Sequence, residues 1–496
     1  MRRARRFRTA LRAPERAQAG TLDRILRLCA GSPYARAIGL HAGMAYAEFA
    51  RCVPIVEYED LRAWIDREAA TGQPQLSREP ALVFERTSGS SGRAKLVPYT
   101  RALLDSFNSC FVIWASDVLK CGPRLRTARM FWGMSPAIET GGRTLCGTPI
   151  SLADDAGYLA PRYQRILGRL LVAPRGLKHI SDGAAYRLAL ATALVAEARL
   201  EIVSVWSPTY LLAILDTITT RRAEIVAALP AGAPAAGLLA DTPIRWDQLW
   251  PELKLVSCWT DAAAAAFVPA LRRAFPQALI QGKGLLATEA AMTVPLFAAP
   301  APVPLVDEVF FEFESSDRAM RRLWELEDGA EYGVIISQMG GLLRYRLGDR
   351  VRVAGRVEET PCLRFLGRTG CSADLAGEKL DEAFVRTALN DVFGPEDHCS
   401  YLVPIRGNDG LPGYRCVTDL RSAAHDPESL SRRLDEALSR SFQYRQSRHL
   451  GQLRPVQVCY RADARHAYEA SQLARGLRWG NIKFQSLVPS MKDDEL

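Results

Sequence analysis

A loop crowded with hydroxyl groups and glycines, TSGSSGRAK, occupies residues 87–95. It follows an apolar run, Ala81 to Phe84, that is typical of a buried strand. Backbone N–H groups and hydroxyls in such a loop can surround a polyphosphate, while Lys95 supplies the countercharge. The spacing is not that of a Walker P-loop, because Gly89 and Gly92 lie too close together and neither Ser nor Thr follows the lysine. The loop therefore predicts a nucleotide-phosphate site, with a plain turn as the alternative.

Lysine is rare in this chain, which has 64 lysines and arginines but only eight lysines. Arginine evidently serves wherever a surface cation is enough, so a retained lysine marks a place where a compact ammonium is useful. The alternative is that a few lysines have been retained by chance in a chain that otherwise uses arginine. Four of the lysines lie in glycine-containing segments: Lys95, Lys283, Lys379 and Lys483.

Two further segments could hold parts of a nucleotide. Thr288 and Glu289 place a hydroxyl beside a carboxylate in the middle of the chain. Residues 340–355, GGLLRYRLGDRVRVAG, alternate apolar and charged residues and predict a pair of strands with Gly348 and Asp349 at a tight turn between them. An aspartate there can accept hydrogen bonds from the two vicinal hydroxyls of a ribose. An ordinary hairpin is the alternative.

The order of these motifs resembles that of the acyl-adenylate-forming superfamily of acyl-CoA synthetases, luciferases and peptide-synthetase adenylation domains. TSGSSGRAK is similar to its phosphate loop, LLATE to its Thr-Glu motif and YRLGD to its ribose-binding motif. The closer resemblance is to the Gretchen Hagen family of acyl-acid amido synthetases, and it extends from Pro54 to Phe484. Ala94 departs from the superfamily, which usually has proline before the loop lysine, and LLATEA looks like the bacterial members. The segments that carry the family resemblance are VPIVEYEDLRAWIDR, KLVPYT, LWPELKLVSCW, FPQALIQGKGLLATEA, GLLRYRLGD, FLGRTG, LAGEKLDE and LARGLRWGNIKF.

The resemblance implies a role for each motif. Lys95 and Lys483 would be catalytic, Lys95 at the β- and γ-phosphates and Lys483 at the α-phosphate when a C-terminal cap closes over it. Glu289 would be a magnesium ligand. For Lys483, a surface lysine near a frayed C-terminus is the alternative. The residues implied to bind ATP are Thr87, Ser88, Gly89, Ser90, Ser91, Gly92, Thr288, Arg346, Asp349 and Arg368.

The resemblance also implies a reaction with ATP and Mg²⁺ as cofactors. An ATP-dependent ligase would adenylate a carboxylic acid and release pyrophosphate. It would then transfer the acyl group to an amine, with an amino acid as the expected acceptor, giving an amide and AMP. A thioester-forming ligase that uses coenzyme A or a carrier protein is an alternative, because it would share every nucleotide motif. A non-enzymatic basic binding protein is the other alternative.

The composition fits a soluble enzyme. A chain of 496 residues with 48% hydrophobic content can form two or more domains, and no uninterrupted apolar run reaches the roughly 18 residues of a membrane helix. Eleven cysteines without a C-x-x-C pair indicate reduced thiols in a cytoplasmic protein. The net charge of +9 would suit nucleic acid, but no nucleic-acid motif accompanies it, and Arg2 to Arg12 is interpreted as a frayed or helical end. We expect a monomer with small-molecule partners, no nucleic acid and no membrane.

Helix-like and strand-like segments alternate along the chain, which predicts parallel βαβ units in an α/β fold. We expect a large N-terminal adenylate-forming domain with parallel or mixed sheets, residues 1–367, and a smaller mobile α+β cap, residues 368–496, joined at a glycine-flanked stretch. In the large domain the predicted elements are the strand Ile202 to Val205, a helix from Pro208, the strand Leu253 to Trp259, the helix Ala262 to Ala274 and the strand Ala278 to Gln281. In the cap they are the helix Asp381 to Val392, the strand Arg415 to Thr418, the helix Pro427 to Phe442, the strand Val456 to Tyr460 and the helix Ala464 to Arg475.

The acyl pocket is less well defined by the sequence. Its expected lining is the helix Leu103 to Leu119, the stretch Met130 to Ser135 and the stretch Trp206 to Tyr210. Aromatic residues in these segments could equally belong to the core.

Overall fold

The computed structural model describes residues 2–87, 95–133, 142–152, 155–172, 177, 180, 182–368, 372–373, 375–376, 378, 380–394, 398–406, 411–420, 426–449, 452–475, 477, 479 and 482–488. Within them, a five-stranded antiparallel sheet, a four-stranded parallel sheet and a three-stranded mixed sheet form the framework. Helices cover the faces of these sheets. The predicted α/β class is confirmed.

Helices fill the chain before the first strand. The arginine-rich first helix buries Phe7 completely, and Arg3 makes 2.7 Å ion pairs with Asp307 and Glu308. The basic N-terminus is therefore a helix attached to the body rather than an extended arm. The helices of this region are α1 (Arg2–Ala10), α2 (Pro14–Cys29), α3 (Pro33–Ala37), α4 (Tyr46–Cys52) and α5 (Tyr58–Thr71).

A hairpin and a long helix follow. Strands β1 (Val83–Thr87) and β2 (Lys95–Tyr99) are antiparallel, and Thr100 caps helix α6 (Arg101–Cys121) by accepting a hydrogen bond from the backbone N–H of Leu103. By length and composition α6 could cross a membrane, but half of its apolar window is buried inside the protein. Phe111 and Trp114 pack in the core, so α6 serves as a core helix of the fold.

The parallel sheet has the order β3-β4-β5-β6, as the alternation of elements predicted. Its connections contain 3₁₀ segments at Asp155–Tyr158 and Ala262–Phe267. The predicted helix Ala262 to Ala274 is wrong in its first half, because residues 262–267 form a 3₁₀ turn and a separate α-helix begins at Val268, with Pro269 in its first turn. The elements are β3 (Met130–Trp132), α7 (Pro161–Leu170), α8 (Gly183–Ala196), β4 (Ile202–Ser204), α9 (Pro208–Thr220), α10 (Arg222–Ala228), α11 (Pro234–Leu238), α12 (Trp246–Leu249), β5 (Leu255–Cys258), α13 (Val268–Ala274) and β6 (Leu279–Gly282).

The antiparallel sheet has the order β10-β9-β11-β12-β13, and a 3₁₀ turn, Leu323–Glu325, follows β10. A separate two-stranded sheet, β7 with β8, precedes it. The strands are β7 (Thr293–Val294), β8 (Val303–Pro304), β9 (Phe310–Glu314), β10 (Met320–Arg322), β11 (Glu331–Ser337), β12 (Tyr345–Val357) and β13 (Thr360–Arg368).

The predicted turn at Gly348 and Asp349 is wrong, because both residues lie inside the single continuous strand β12. The register with β11 shifts between Gly333 and Ile335, so residues 347–349 form a bulge. Gly348 has a φ of 78°, a left-handed conformation that suits glycine in a bulge as well as in a turn. The glycine signal was therefore real, but it marks a kink in a strand rather than its end.

The C-terminal unit, residues 380–488, combines helices with a mixed sheet. Strands β16 and β17 are antiparallel, whereas β17 and β18 are parallel. The predicted helix Pro427 to Phe442 is wrong in extent, because a turn at 439–441 separates two helices. The elements from β14 onward are β14 (Ser372–Ala373), β15 (Leu380–Asp381), α14 (Glu382–Phe393), β16 (Ser400–Arg406), β17 (Pro412–Thr418), α15 (Pro427–Leu438), α16 (Phe442–His449), β18 (Gln457–Tyr460) and α17 (Ala464–Ala474).

One apolar core joins the parallel sheet to the C-terminal unit. It contains Phe131 and Val256 from the parallel sheet, Tyr401 from β16 and Trp479 from the last segment. The ring of Trp479 meets the ring of Tyr210 edge-on, with centroids 4.8 Å apart. The C-terminal unit therefore packs against the large unit through a shared core. The predicted domain division at residue 367 stays a prediction.

Candidate functional site

The two ends of the predicted phosphate loop are fixed by the β1–β2 hairpin. Thr87 and Lys95 are partners in the antiparallel register, so the loop begins and ends at one point of the structure. The Lys95 ammonium lies 5.4 Å from the ring centroid of Tyr58, whose hydroxyl accepts a hydrogen bond from the backbone N–H of Leu96. The remaining predicted loop residues, Ser88, Gly89, Ser90, Ser91 and Gly92, lie outside the described residues.

The Thr288–Glu289 pair forms a tight turn beside this hairpin. Leu286 and Ala291 make an antiparallel bridge around it, and the Tyr99 hydroxyl of β2 donates a 2.6 Å hydrogen bond to the Thr288 carbonyl oxygen. The Glu289 side chain is buried. A strand that bears the phosphate loop is thus tied directly to the turn that bears the predicted magnesium ligand.

Asp349 and Arg368 are the next pair that the structure brings together. They face each other across β12 and β13, and the Arg368 Nε donates to the Asp349 Oδ1 at 2.7 Å. A carboxylate has about four acceptor positions, so this ion pair leaves capacity for both hydroxyls of a ribose. The arginine also fixes the orientation of the carboxylate.

Arg346, one of the residues implied to bind ATP, makes ion pairs with two glutamates. Its guanidinium donates to the Glu314 carboxylate at 2.9 Å, and Glu57 lies 3.9 Å away. The β12 bulge lies between positions 346 and 349 and breaks the simple alternation of faces. The predicted contact of Arg346 with the nucleotide stays a prediction.

Lys483 reaches the same region from the C-terminal unit. Residues 482–488 run parallel to β16, with the Leu402 N–H bonded to the Ser486 carbonyl oxygen at 2.8 Å. The Tyr468 hydroxyl donates to the Lys483 carbonyl oxygen at 2.7 Å. Phe484 packs edge-on against Phe267 of the large unit, with centroids 5.3 Å apart. These contacts hold the lysine at the boundary of the two units.

The Lys483 ammonium lies in a shared electrostatic field with three predicted site residues. The surrounding protein walls remove water from it and lower its pKa, although part of the side chain is open to solvent. Arg368 lowers the pKa further, whereas Asp349 and Glu289 oppose this effect. The ammonium also lies 4.7 Å from the ring centroid of Trp259. The fold thus brings the predicted catalytic lysine close to the predicted ribose and magnesium residues.

Sequence reasoning missed Trp259 and Phe484, although both had a signal. Trp259 directly follows β5, and ligands of parallel sheets bind at the carboxyl ends of the strands. Phe484 is the neighbour of the predicted catalytic lysine. Both act through tertiary contacts that spacing along the chain does not display.

Two sequence models of one family match this chain. The GH3 family N-terminal domain matches residues 3–246, and the GH3 family central domain matches residues 303–368, which together exceed half of the chain. The chain belongs to the GH3 family. GH3 is the Gretchen Hagen family, so the predicted family is confirmed.

Curated relatives of this GH3 chain include plant and animal proteins. The "Putative indole-3-acetic acid-amido synthetase GH3.10" of Oryza sativa subsp. japonica is 25% identical over 402 residues, covering 75% of this chain and 82% of the relative. The "GH3 domain-containing protein" of Mus musculus is 27% identical over 231 residues, covering 42% of this chain and 43% of the relative. The family thus includes members named as amido synthetases and members named only by domain.

Solved structures agree with the fold of this GH3 chain. The GH3.15 acyl acid amido synthetase superposes with a TM-score of 0.81 at 18% identity, covering 98% of this chain and 93% of that one. A 2-hydroxyisobutyryl-CoA ligase in the postadenylation state superposes with a TM-score of 0.52 at 13% identity, covering 90% and 85%. The adenylate-forming fold is confirmed, and family membership implies that the chain uses ATP.

Proposed function

We propose that this GH3 chain is an ATP-dependent acyl acid amido synthetase. It activates a carboxylic acid as an acyl-adenylate and transfers the acyl group to the amino group of an amino acid. The observation that carries the proposal is the position of Lys483, which approaches Asp349, Arg368 and Glu289 from the C-terminal unit. Relatives named as amido synthetases in Oryza sativa and Arabidopsis thaliana support an amide product.

The nucleotide would lie between the β1–β2 hairpin and the β12–β13 pair. Lys95 would contact the β- and γ-phosphates at one end, and Asp349 would accept hydrogen bonds from the ribose at the other. The part of the chain that the structure describes has no group of three or more metal-binding side chains. This fits Mg²⁺, which commonly uses one or two carboxylates together with substrate phosphates, and Glu289 would hold it. Bound there, Mg²⁺ would neutralise phosphate charge.

Lys483 would act in the first half-reaction. A carboxylate oxygen of the acid attacks the α-phosphorus, the bond to pyrophosphate breaks, and negative charge grows on the α-phosphate oxygens. An ammonium held at that point stabilises the transition state by roughly 2–4 kcal/mol. Asp349 and Glu289 favour the charged form of the lysine, and the Trp259 ring lies 4.7 Å from the ammonium, within range of a cation–π interaction.

The second half-reaction requires a neutral amine. The α-amino group of a free amino acid is mainly protonated at physiological pH, so the ammonium has to lose a first proton before the amine attacks the acyl carbon. The carbon–nitrogen bond forms, the bond to AMP breaks, and the amine loses a proton to solvent. The protein has to orient the amine and exclude water.

The test of adenylation is ATP–pyrophosphate exchange with Mg²⁺ across a panel of carboxylic acids. We expect at least one acid to promote exchange by the wild type, and Asp349→Ala to abolish it. A panel in which no acid promotes exchange, although calorimetry shows that ATP binds, would contradict the proposed function.

The role of Lys483 is tested by separating the half-reactions. Lys483→Ala should slow pyrophosphate exchange by about 30- to 1,000-fold, because the transition-state charge loses its ammonium. Attack of an amino acid on a chemically prepared acyl-adenylate should change little. Lys120→Ala removes an exposed lysine at the end of α6 and is the matched control. Equal losses in both half-reactions would disprove this role.

The acceptor is identified by a separate competition. Amino acids and coenzyme A are offered together to the enzyme that carries the acyl-adenylate, and the products are separated by mass. We expect amides. Thioesters would instead identify the chain as a thioester-forming ligase.

A further inference from the structure

A polar row crosses the parallel sheet near the carboxyl ends of its strands. Trp132, Ser204, Ser257 and Gln281 are direct register partners on β3, β4, β5 and β6. Register partners in a sheet project to the same face, and α6 covers this face, where the Trp114 indole N–H donates to the Gln281 Oε1 at 2.9 Å. A row with two buried hydroxyl groups and a partly buried amide thus lies beneath an aromatic helix.

Lys283 spans this row. It follows β6 by one residue, yet its ammonium donates a 2.8 Å hydrogen bond to the Ser204 Oγ of β4. Because β5 lies between β4 and β6, the lysine side chain reaches across β5, the strand that bears Ser257. The Lys283 residue is only 7% exposed. A charged group is therefore placed deep on the sheet face, where fixed charges act strongly on a ligand.

Ser257 gives an independent sign of a ligand. The residue is 1% exposed, and among the described residues its hydroxyl has no hydrogen-bond partner. Buried hydroxyl groups are normally satisfied, so an orphan hydroxyl in a polar row needs an explanation. A polar group of a bound molecule, placed beside the Lys283 ammonium, would supply the missing partner.

Aromatic rings connect this row to the site of adenylation. The Lys283 ammonium lies 5.1 Å from the ring centroid of Trp206, which is itself 5.8 Å from that of Trp259. The Lys483 ammonium lies 4.7 Å from the ring centroid of Trp259. Trp206 and Trp259 are partly exposed, so they present ring surface to the cleft.

Two further indoles surround Lys283 and define its environment. Its ammonium lies 5.8 Å from the ring centroid of Trp114 and 5.9 Å from that of Trp132. The aromatic faces attract the ammonium through cation–π interactions. A flat substrate can therefore extend along the tryptophans with one end at each lysine.

We propose that Lys283 and Ser257 recognise a second anionic group on the acid substrate, at the end remote from the carboxylate that is activated near Lys483. This inference rests on the proposed function for the place of the activated carboxylate. The substrate class is a flat aromatic acid that carries a distal carboxylate or phenolate. Lys283 is a specificity-determining residue of the acyl site and takes no part in the bond changes.

Matched acid pairs test the proposal. Benzoate is compared with benzene-1,4-dicarboxylate, cinnamate with 4-carboxycinnamate, and biphenyl-4-carboxylate with biphenyl-4,4′-dicarboxylate. For at least one pair we expect the wild type to prefer the diacid in kcat/KM for pyrophosphate exchange. Because a hydrogen bond to a charged group contributes strongly, the preference should be on the order of 30-fold.

Lys283→Met keeps the apolar stem of the side chain and removes the charge. We expect it to abolish the preference for the diacid, so that the ratio of kcat/KM for the diacid to kcat/KM for the monoacid falls to about one. Ser257→Ala, a smaller change, should reduce the preference in part. Lys120→Met is the matched control. A variant that loses activity toward both members of a pair equally, or a wild type that never prefers a diacid, would overturn the proposal.

A binding measurement separates this proposal from the proposed function. The acids are titrated into the wild type, Lys283→Met and Ser257→Ala, and binding is followed by quenching of tryptophan fluorescence. Lys283-dependent binding of a diacid without any pyrophosphate exchange would support the acyl site and contradict adenylation. Exchange with monoacids, together with diacid binding that is independent of Lys283, would support adenylation and contradict the proposed role of Lys283.

Discussion

Glu201 offers a quantitative test of how the parallel sheet is held together. It lies just before β4, at the amino edge of the sheet and therefore opposite to the site. Its carboxylate accepts hydrogen bonds from the backbone N–H groups of Arg126, Thr127 and Ala128 at 2.7, 2.7 and 2.6 Å, and from the Lys254 ammonium at 2.6 Å. Burial alone would raise the pKa of Glu201, but the ammonium and the N–H groups lower it to about 2.

The magnitude follows from linkage. An unfolded glutamate has a pKa of 4.5, so a folded value of about 2 corresponds to roughly 3 kcal/mol of stability. Because the folded pKa is the lower one, this stability is complete above about pH 4.5 and is lost as the pH falls toward 2. Near pH 3 about half of it remains. Glu201→Gln should therefore lower the free energy of unfolding by roughly 3 kcal/mol at pH 7, and by less in acid.

The assay is urea unfolding of the wild type and Glu201→Gln at pH 7, 4 and 3, with pyrophosphate exchange measured at 20 °C in parallel. Glu252→Gln is the matched control, because Glu252 contacts the same Lys254 at 3.4 Å but at the surface, where a pair contributes less than about 1 kcal/mol. Exchange by Glu201→Gln should stay normal, since the carboxylate is remote from the site. A loss below 1 kcal/mol at pH 7, or a loss that does not shrink in acid, would refute the reasoning.

Further tests address the large unit, its interface with the C-terminal unit and the segment that bears Lys483. Arg344→Met should destabilise the protein by about 3–5 kcal/mol in urea unfolding, because the buried Glu312 carboxylate loses its countercharge 2.9 Å away and keeps a hydrogen bond from the neutral Tyr46 hydroxyl; a loss under 1 kcal/mol would contradict this. Asp216 raises the pKa of His466 across the interface between the units. The stability from this pair is therefore present below pH 6.5 and is lost as the pH rises through the pKa of His466 in the folded protein. The urea midpoint of His466→Ala should lack that pH dependence. Phe484→Ala should slow pyrophosphate exchange at least tenfold, by loosening the Lys483 segment, and spare aminolysis of a prepared adenylate; unchanged exchange would show that Phe484 does not position Lys483.

The sequence was most informative where structure is local and periodic. The alternation of apolar strands and helices between residues 202 and 282 predicted the parallel sheet, since the strands and helix of each βαβ unit are consecutive in the sequence. It was ambiguous at Gly348, because a left-handed glycine serves both a turn and a bulge. Pro427 to Phe442 was predicted as one helix because its apolar periodicity continues across the turn at 439–441.

The site was predictable in its residue types and less so in its pairings. Asp349, Arg368, Glu289 and Lys483 were all named from motifs, and the fold places them in one region. The partners of Arg346 were missed, because a bulge changes which face each residue of β12 occupies. The surroundings of Lys283 depend on residues from four strands and one helix, which no local pattern brings together.

The common core between the parallel sheet and the C-terminal unit has a consequence for how much acyl-adenylate is lost to hydrolysis. Separating the two units would expose the rings of Tyr210 and Trp479, and exposing apolar surface is unfavourable by roughly 25 cal/mol per Å². An acyl-adenylate formed where the two units pack together would be sheltered from hydrolysis until an amine arrives. These aromatic contacts would then raise the number of amide bonds made per ATP consumed.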